Sequence, residues 1–116
     1  MKTLIILNEP AYGNERSYNG LRLSRSLVKT GETELRIFLM GDAVTVAMRG
    51  QKTPDGYYNL ENMLRALTAK DVAIACCGSC LDARGLAEDT LTEGAHRSSM
   101  AELTEWTLWA DKVLTF

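Results

Sequence analysis

The chain is poor in the features that usually announce a ligand or a compartment. Its 116 residues hold one histidine, two prolines and three cysteines. Neither GxGxxG nor GxxxxGK[ST] occurs, so nucleotide binding has no support and no cofactor is expected. A second CxxC and an HxxxH pair are both missing, which argues against zinc and leaves no metal expected. No basic stripe interrupts the charge balance of 13 Lys+Arg against 15 Asp+Glu, so nucleic acid is not an expected partner. The start, Met1-Lys2-Thr3-Leu4-Ile5-Ile6-Leu7-Asn8, has too short an apolar core for a signal peptide or a membrane span. The expected setting is therefore the reducing cytoplasm, with no membrane partner.

What is present is patterned for one domain spanning residues 1–116. A chain this long buries about two thirds of its unfolded surface and needs no disulfide to fold. The continuous apolar run Thr3 to Leu7 predicts a strand buried on both faces. A polar loop from Asn8 to Asn14 leads into a helix over Glu15 to Lys29, with Leu21/Val28 and Leu23/Leu27 at helical spacing and Gly31 as C-cap. Leu35 to Met40 reads as a second strand, and Ala43 to Met48 as a short helix. Asn59 can cap a helix bearing Leu60, Met63, Leu64 and Leu67. Val72 to Cys76 is the expected third strand, followed by a short helix from Ser79 to Arg84 that Gly85 stops. A short strand lies near Ala95-His96-Arg97. Ser99 and Glu102 fit a capping box for a helix whose core stripe is Leu103, Trp106 and Ala110. Lys112 to Phe116 is the last strand. Strands alternating with helices predict a three-layer α/β/α sandwich around a mainly parallel sheet of about five strands.

All three cysteines fall in one run, Cys76-Cys77-Gly78-Ser79-Cys80, where the third strand gives out. Successive strand residues face opposite ways, so Cys76 and Cys77 cannot serve one site if the strand is regular through both. Cys77 is nearer the loop, and ligands of open parallel sheets sit beyond the carboxyl ends of the strands. Gly78 permits close backbone approach, and Ser79 can cap the helix that follows. A thiol meeting N–H groups at such a turn loses acidity constraints and ionises near neutral pH. Cys77 is thus the candidate nucleophile, with Cys76 read as core. Cys80 completes a CxxC spacing that suits either a resolving thiol or a dithiol redox pair. His96 is either an edge polar residue or a neighbour of the thiol. The loop Asn8 to Tyr18 can lie beside this turn, where Tyr12 or Arg16 would contact an anionic sulfur ligand; a solvated turn is the other reading.

Four segments together resemble the DsrE/DsrF-like family, with its YchN-like and sulfur-relay subunits. They are Glu15-Arg16-Ser17-Tyr18-Asn19-Gly20-Leu21-Arg22-Leu23, Gly56-Tyr57-Tyr58-Asn59-Leu60-Glu61, Cys77 through Leu86, and Glu105 through Phe116. The resemblance spans nearly the whole chain. It implies a small α/β subunit that assembles as trimers or hexamers. It also implies that Cys77, the position matching the relay cysteine, carries sulfane sulfur as a persulfide between a donor and an acceptor protein.

The expected function is therefore a sulfur carrier of the sulfurtransferase type acting through Cys77. The alternatives are a dithiol redox protein using Cys77 and Cys80, and an oligomeric ligand-binding or scaffold subunit. A homo-oligomer is also expected from apolar residues on more than one face of the last helix, Leu108 and Trp109 among them. The apolar segment Ala43 to Met48 is a second candidate interface.

Overall fold

The first apolar run does form a strand, β1 (Lys2–Leu7), and the polar loop after it feeds α1 (Arg16–Thr30). The computed structural model describes every residue, Met1–Phe116. β2 (Glu34–Leu39) is followed by a 3-10 helix over Gly41–Ala47, the short helix expected there, and then by α2 (Leu60–Thr68). β3 (Ala73–Cys77) runs directly into α3 (Gly78–Ala83). After a single 3-10 turn come β4 (Ala95–Ser98), α4 (Met100–Trp109) and β5 (Lys112–Thr115). All strand pairs are parallel, in the order β4-β3-β2-β1-β5.

Strand order and side-chain alternation define the layers. The crossovers β1 to β2 to β3 to β4 step one way across the sheet, and β4 to β5 jumps back to the far edge. Right-handed crossovers then put α1, α2 and α3 on one face and α4 on the other. Packing agrees: α1 approaches Leu7 at Gly20, and Leu7 pairs with Leu39, whereas Trp106 of α4 meets Phe38 edge-on, ring centroids 6.1 Å apart. The sheet is a three-layer sandwich.

The buried stripe of α1 differs from the expected leucine pairs. Ser17, Gly20, Leu21 and Ser24 are the buried residues, and Leu23, Leu27 and Val28 are only half-buried. Small side chains let α1 press close to the sheet: a Cβ on Gly20 would collide with Leu7 Cδ2. The Ser24 hydroxyl is satisfied by donating to the Gly20 carbonyl at 2.7 Å.

Two further expectations need correction. Ala43, Val44, Val46 and Ala47 are fully buried within the chain, so that segment offers no interface. The capping box is half-formed: Ser99 Oγ accepts from the Glu102 N–H at 3.3 Å, but the Glu102 carboxylate turns away. It accepts from Ser98 Oγ at 2.6 Å and meets His96 Nε2 at 2.5 Å. These β4 side chains lie beneath α4, and the nearest carboxylate is drawn to them. Burial pushes the Glu102 carboxyl up, yet these hydrogen bonds outweigh it and hold the pKa below the ordinary carboxylate value.

Candidate functional site

The site forms where β3 turns into α3 without a loop. Cys76 and Cys77 both belong to the strand, so they diverge as alternation requires. Cys76 pairs with Leu39, on the α1 side of the sheet, and is fully buried. Burial pushes its thiol up to about 12. Cys76 is a core residue and inert as a nucleophile near neutral pH.

Cys77 pairs with Ser98 at the carboxyl end of the sheet and serves as the N-cap position of α3. Its Sγ lies 3.3 Å from the Ser79 hydroxyl. Burial pushes this thiol up. Hydrogen bonds from the side chains of Cys80 and Ser79, and from their backbone N–H groups, overcome that effect and leave its pKa below the ordinary thiol value. Ser79 was expected to cap the helix. It stands two residues beyond the N-cap position, which Cys77 occupies, and its hydroxyl is turned to Cys77 instead.

Gly78 is required by geometry. A Cβ there would sit 2.7 Å from the Ser98 carbonyl oxygen and 3.0 Å from the Arg97 guanidinium. Arg97 is fixed over the turn by a two-pronged pair with Asp82, both contacts at 2.8 Å.

Cys80 has the opposite tendency from Cys77. Burial and the hydrogen bond with Cys77 raise its pKa, against smaller lowering contributions from the Gly41 N–H and Arg84. The turn therefore holds one thiol shifted toward ionisation beside one shifted toward keeping its proton.

The loop that touches this turn follows β2, not β1. β2 lies between β1 and β3, so Gly41 reaches Cys80 and Asp42 reaches Arg84. Gly41 N–H meets Cys80 Sγ, and Asp42 Oδ1 accepts from Arg84 Nε and Nη2 at 3.0 and 2.7 Å, while Arg84 Nη1 donates to the Cys80 carbonyl. Sequence reasoning missed Gly41 and Asp42 as site residues. Their only sequence signal was the turn closing the second strand.

Cys77, Gly78, Ser79 and Cys80 are thus brought together, and Tyr12 and Arg16 have other partners. The Tyr12 hydroxyl donates to Gln51 Oε1 at 2.5 Å and accepts from the Leu60 N–H at 3.1 Å. Arg16 is exposed and faces Glu9 at 3.6 Å. His96 is the half-exposed polar residue of the edge strand β4, bonded to Glu102 rather than to a thiol. No three His, Cys, Asp or Glu side chains cluster closely enough to hold a metal ion.

A parallel five-stranded α/β/α domain with a polarised thiol pair at the strand–helix turn defines the class. The chain belongs to the DsrE/DsrF-like family, which it matches over residues 1–116. It is 45% identical to protein YchN of Escherichia coli K12, covering 99% of this chain and 98% of that one. The crystal structure of that E. coli protein superposes with a TM-score of 0.94 over 99% of this chain and 98% of the other. An uncharacterized protein of Methanocaldococcus jannaschii is 35% identical over the full length of both chains. A protein of unknown function from Methanobacterium thermoautotrophicum, at 18% identity and a TM-score of 0.80 over 99% and 98% of the chains, shares the fold.

Proposed function

We propose that the protein is a sulfur carrier in which Cys77 accepts sulfane sulfur and hands it to an acceptor thiol. The observation that carries this reading is the Cys77 thiol held below its ordinary pKa by donors of the α3 turn. Family membership supports the sulfur-relay context. The Cys77 thiolate attacks the outer sulfur of a donor persulfide; the donor thiolate leaves and a Cys77 persulfide forms. An acceptor thiolate then attacks that outer sulfur and restores the Cys77 thiolate. Ser79 and the turn N–H groups steady the sulfur anion in both steps.

A dithiol redox role is the second reading, favoured by the opposed tendencies of the two thiols, Cys77 lowered and Cys80 raised. Attack of Cys80 on the Cys77 sulfur of the persulfide expels hydrosulfide and leaves a disulfide. The working form is a cytoplasmic homo-oligomer, a trimer or a hexamer, that meets donor and acceptor proteins. No helix of the chain is long and apolar enough to cross a membrane. Mass spectrometry of protein purified without reductant tests the two chemistries: a gain of about 32 Da on the Cys77 peptide supports the carrier, and a loss of about 2 Da the disulfide. An unchanged mass after polysulfide treatment would sink both.

A further inference from the structure

α3 is six residues long, too short to hold its place by helical hydrogen bonding alone. Two arginine–aspartate pairs fix it from the neighbouring strands. Asp82 meets Arg97 of β4, above Gly78. Arg84, the residue that ends the helix, meets Asp42 at the start of the 3-10 helix after β2.

The two pairs differ in what they hold. Arg97 gives both terminal nitrogens to Asp82. Arg84 spreads its donors over two partners. Its Nε and Nη2 donate to Asp42 Oδ1 at 3.0 and 2.7 Å, and its Nη1 donates to the Cys80 carbonyl at 3.0 Å. The Arg84 backbone N–H turns to the Leu81 carbonyl at 3.1 Å, so it is the side chain that closes on Cys80. Cys80 is thus held at two points. The Gly41 N–H meets its Sγ, and Arg84 meets its carbonyl. Both holds trace to adjacent residues, Gly41 and Asp42. An exposed ion pair on its own contributes little, but the Arg84 side chain is only 32% exposed and its third donor is spent on the cysteine backbone.

We propose that Arg84, braced by Asp42, is a positioning residue for Cys80 and sets how fast Cys80 resolves a persulfide on Cys77. This rests on the sulfur-carrier reading and adds a control point to it. Attack of the Cys77 thiolate on the terminal sulfur of a polysulfide forms the Cys77 persulfide, and the shortened polysulfide leaves with the electron pair. Cys80 then gives up its proton and its thiolate attacks Cys77 Sγ. The bond to the outer sulfur breaks, hydrosulfide departs and the disulfide remains. This second step needs Cys80 both within reach and ionised. Burial and the neighbouring Cys77 push its thiol up, while the Gly41 N–H and the Arg84 guanidinium draw it down. With Asp42 behind Arg84, these are the groups that face Cys80 from β3, from its own helix and from the 3-10 helix. Arg84 touches neither the donor nor the outer sulfur and acts only through Cys80. With its hold in place the loaded sulfur is short-lived; with the hold released the persulfide lasts longer for an acceptor thiol.

The test compares the intact protein with its Arg84→Gln and Arg84→Lys variants. Each is loaded with inorganic polysulfide, desalted and followed for released sulfide. In parallel, iodoacetamide labelling of Cys76, Cys77 and Cys80 is measured against pH by peptide mapping. Arg84→Gln is expected to release sulfide about threefold more slowly, the scale of one half-exposed charge contact, and to move the Cys80 midpoint to higher pH. Arg84→Lys keeps the charge and loses the planar fork, so the Cys80 midpoint returns toward its original value while release stays slow. Cys76 is fully buried and reports general loosening; its labelling is expected to stay as slow as in the unmodified sequence. Unchanged release in Arg84→Gln overturns the proposal, and so does faster Cys76 labelling that tracks the slower release. A persulfide that survives intact in the unmodified sequence also overturns it, while sparing the carrier. If no sulfur is taken up at all, the carrier reading fails; a raised Cys80 midpoint in Arg84→Gln then still supports the hold on Cys80, and an unmoved one overturns it.

Discussion

The backbone N–H of Gly41 reaches the Sγ of Cys80 at 3.1 Å. This bond crosses from the end of β2 to α3 and ties the second thiol of the pair to a neighbouring strand. Cys80 is thereby held beside Cys77 rather than turned to solvent. If it resolves a persulfide, Cys80→Ser lets the persulfide accumulate on Cys77 after polysulfide treatment, while the unmodified sequence ends as a disulfide with sulfide released. Intact-mass measurement reads the difference. Equal persulfide yields in the two proteins would assign Cys80 a structural role.

Cys77 is expected to alkylate fastest of the three thiols, with a rate that rises with pH around a midpoint below the ordinary thiol value. Cys76, deeply buried and raised to about 12, should label only when the protein opens. Iodoacetamide kinetics against pH, with each cysteine followed by peptide mapping, decide the order. Labelling of Cys76 ahead of Cys77 at neutral pH contradicts the assignment.

Gly78→Ala places a methyl group 2.7 Å from the Ser98 carbonyl oxygen. The backbone must shift, because a carbonyl in a strand end cannot rotate away as a flexible side chain does. The expected loss is roughly 1–3 kcal/mol of stability, the usual range for overpacking. Cys77 reactivity should fall with it, since the turn N–H groups move. Urea melts together with alkylation rates check both; full stability with unchanged reactivity contradicts the packing account.

Cys76 also sets an alkaline limit. An unfolded thiol titrates near 8.5, by the ordinary value, and the folded one at about 12. Between these values the unfolded chain has lost its proton and the folded chain keeps it. Stability is therefore complete below the unfolded pKa and drains away as pH climbs toward the folded one. Cys76→Ala is expected to cost about 1 kcal/mol at neutral pH through lost packing, and to flatten the decline above pH ~9. Chemical denaturation at several alkaline pH values shows whether the slope changes.

The strand order puts Leu108, Met100 and Val113 at the surface, with Leu108 83% exposed. Those residues fit an assembling face on the α4 side of the sheet. Sedimentation equilibrium at micromolar concentration should give a mass three or six times 12.8 kDa. A single species at the monomer mass excludes the oligomer.

Much of this architecture was legible because it rests on period and punctuation. The run Thr3 to Leu7, the Asn59 cap and the stops at Gly31 and Gly85 each have a local cause, and the structure keeps all of them. The Asn59 side chain accepts from the Asn62 N–H as expected. What the sequence hid was long-range. Nothing near Gly41 says that it will meet Cys80, because that depends on β2 lying next to β3. The Ser17, Gly20 and Ser24 stripe looked polar because close approach, not hydrophobicity, was its purpose. Glu102 left its cap for His96 and Ser98 through a tertiary competition that spacing alone does not display.

Cys76 and Cys77 are covalent neighbours and yet occupy opposite sides of one sheet. Under the proposed function, a sulfur atom loaded on Cys77 would step toward Cys80, while the backbone itself stands between it and Cys76. The pleat acts as insulation. Under that proposal it keeps the chemistry at the strand–helix turn and shields a core thiol that would otherwise be the shortest leak in the circuit. Two adjacent cysteines thus gain opposite fates from nothing more than the two-residue rhythm of a β-strand.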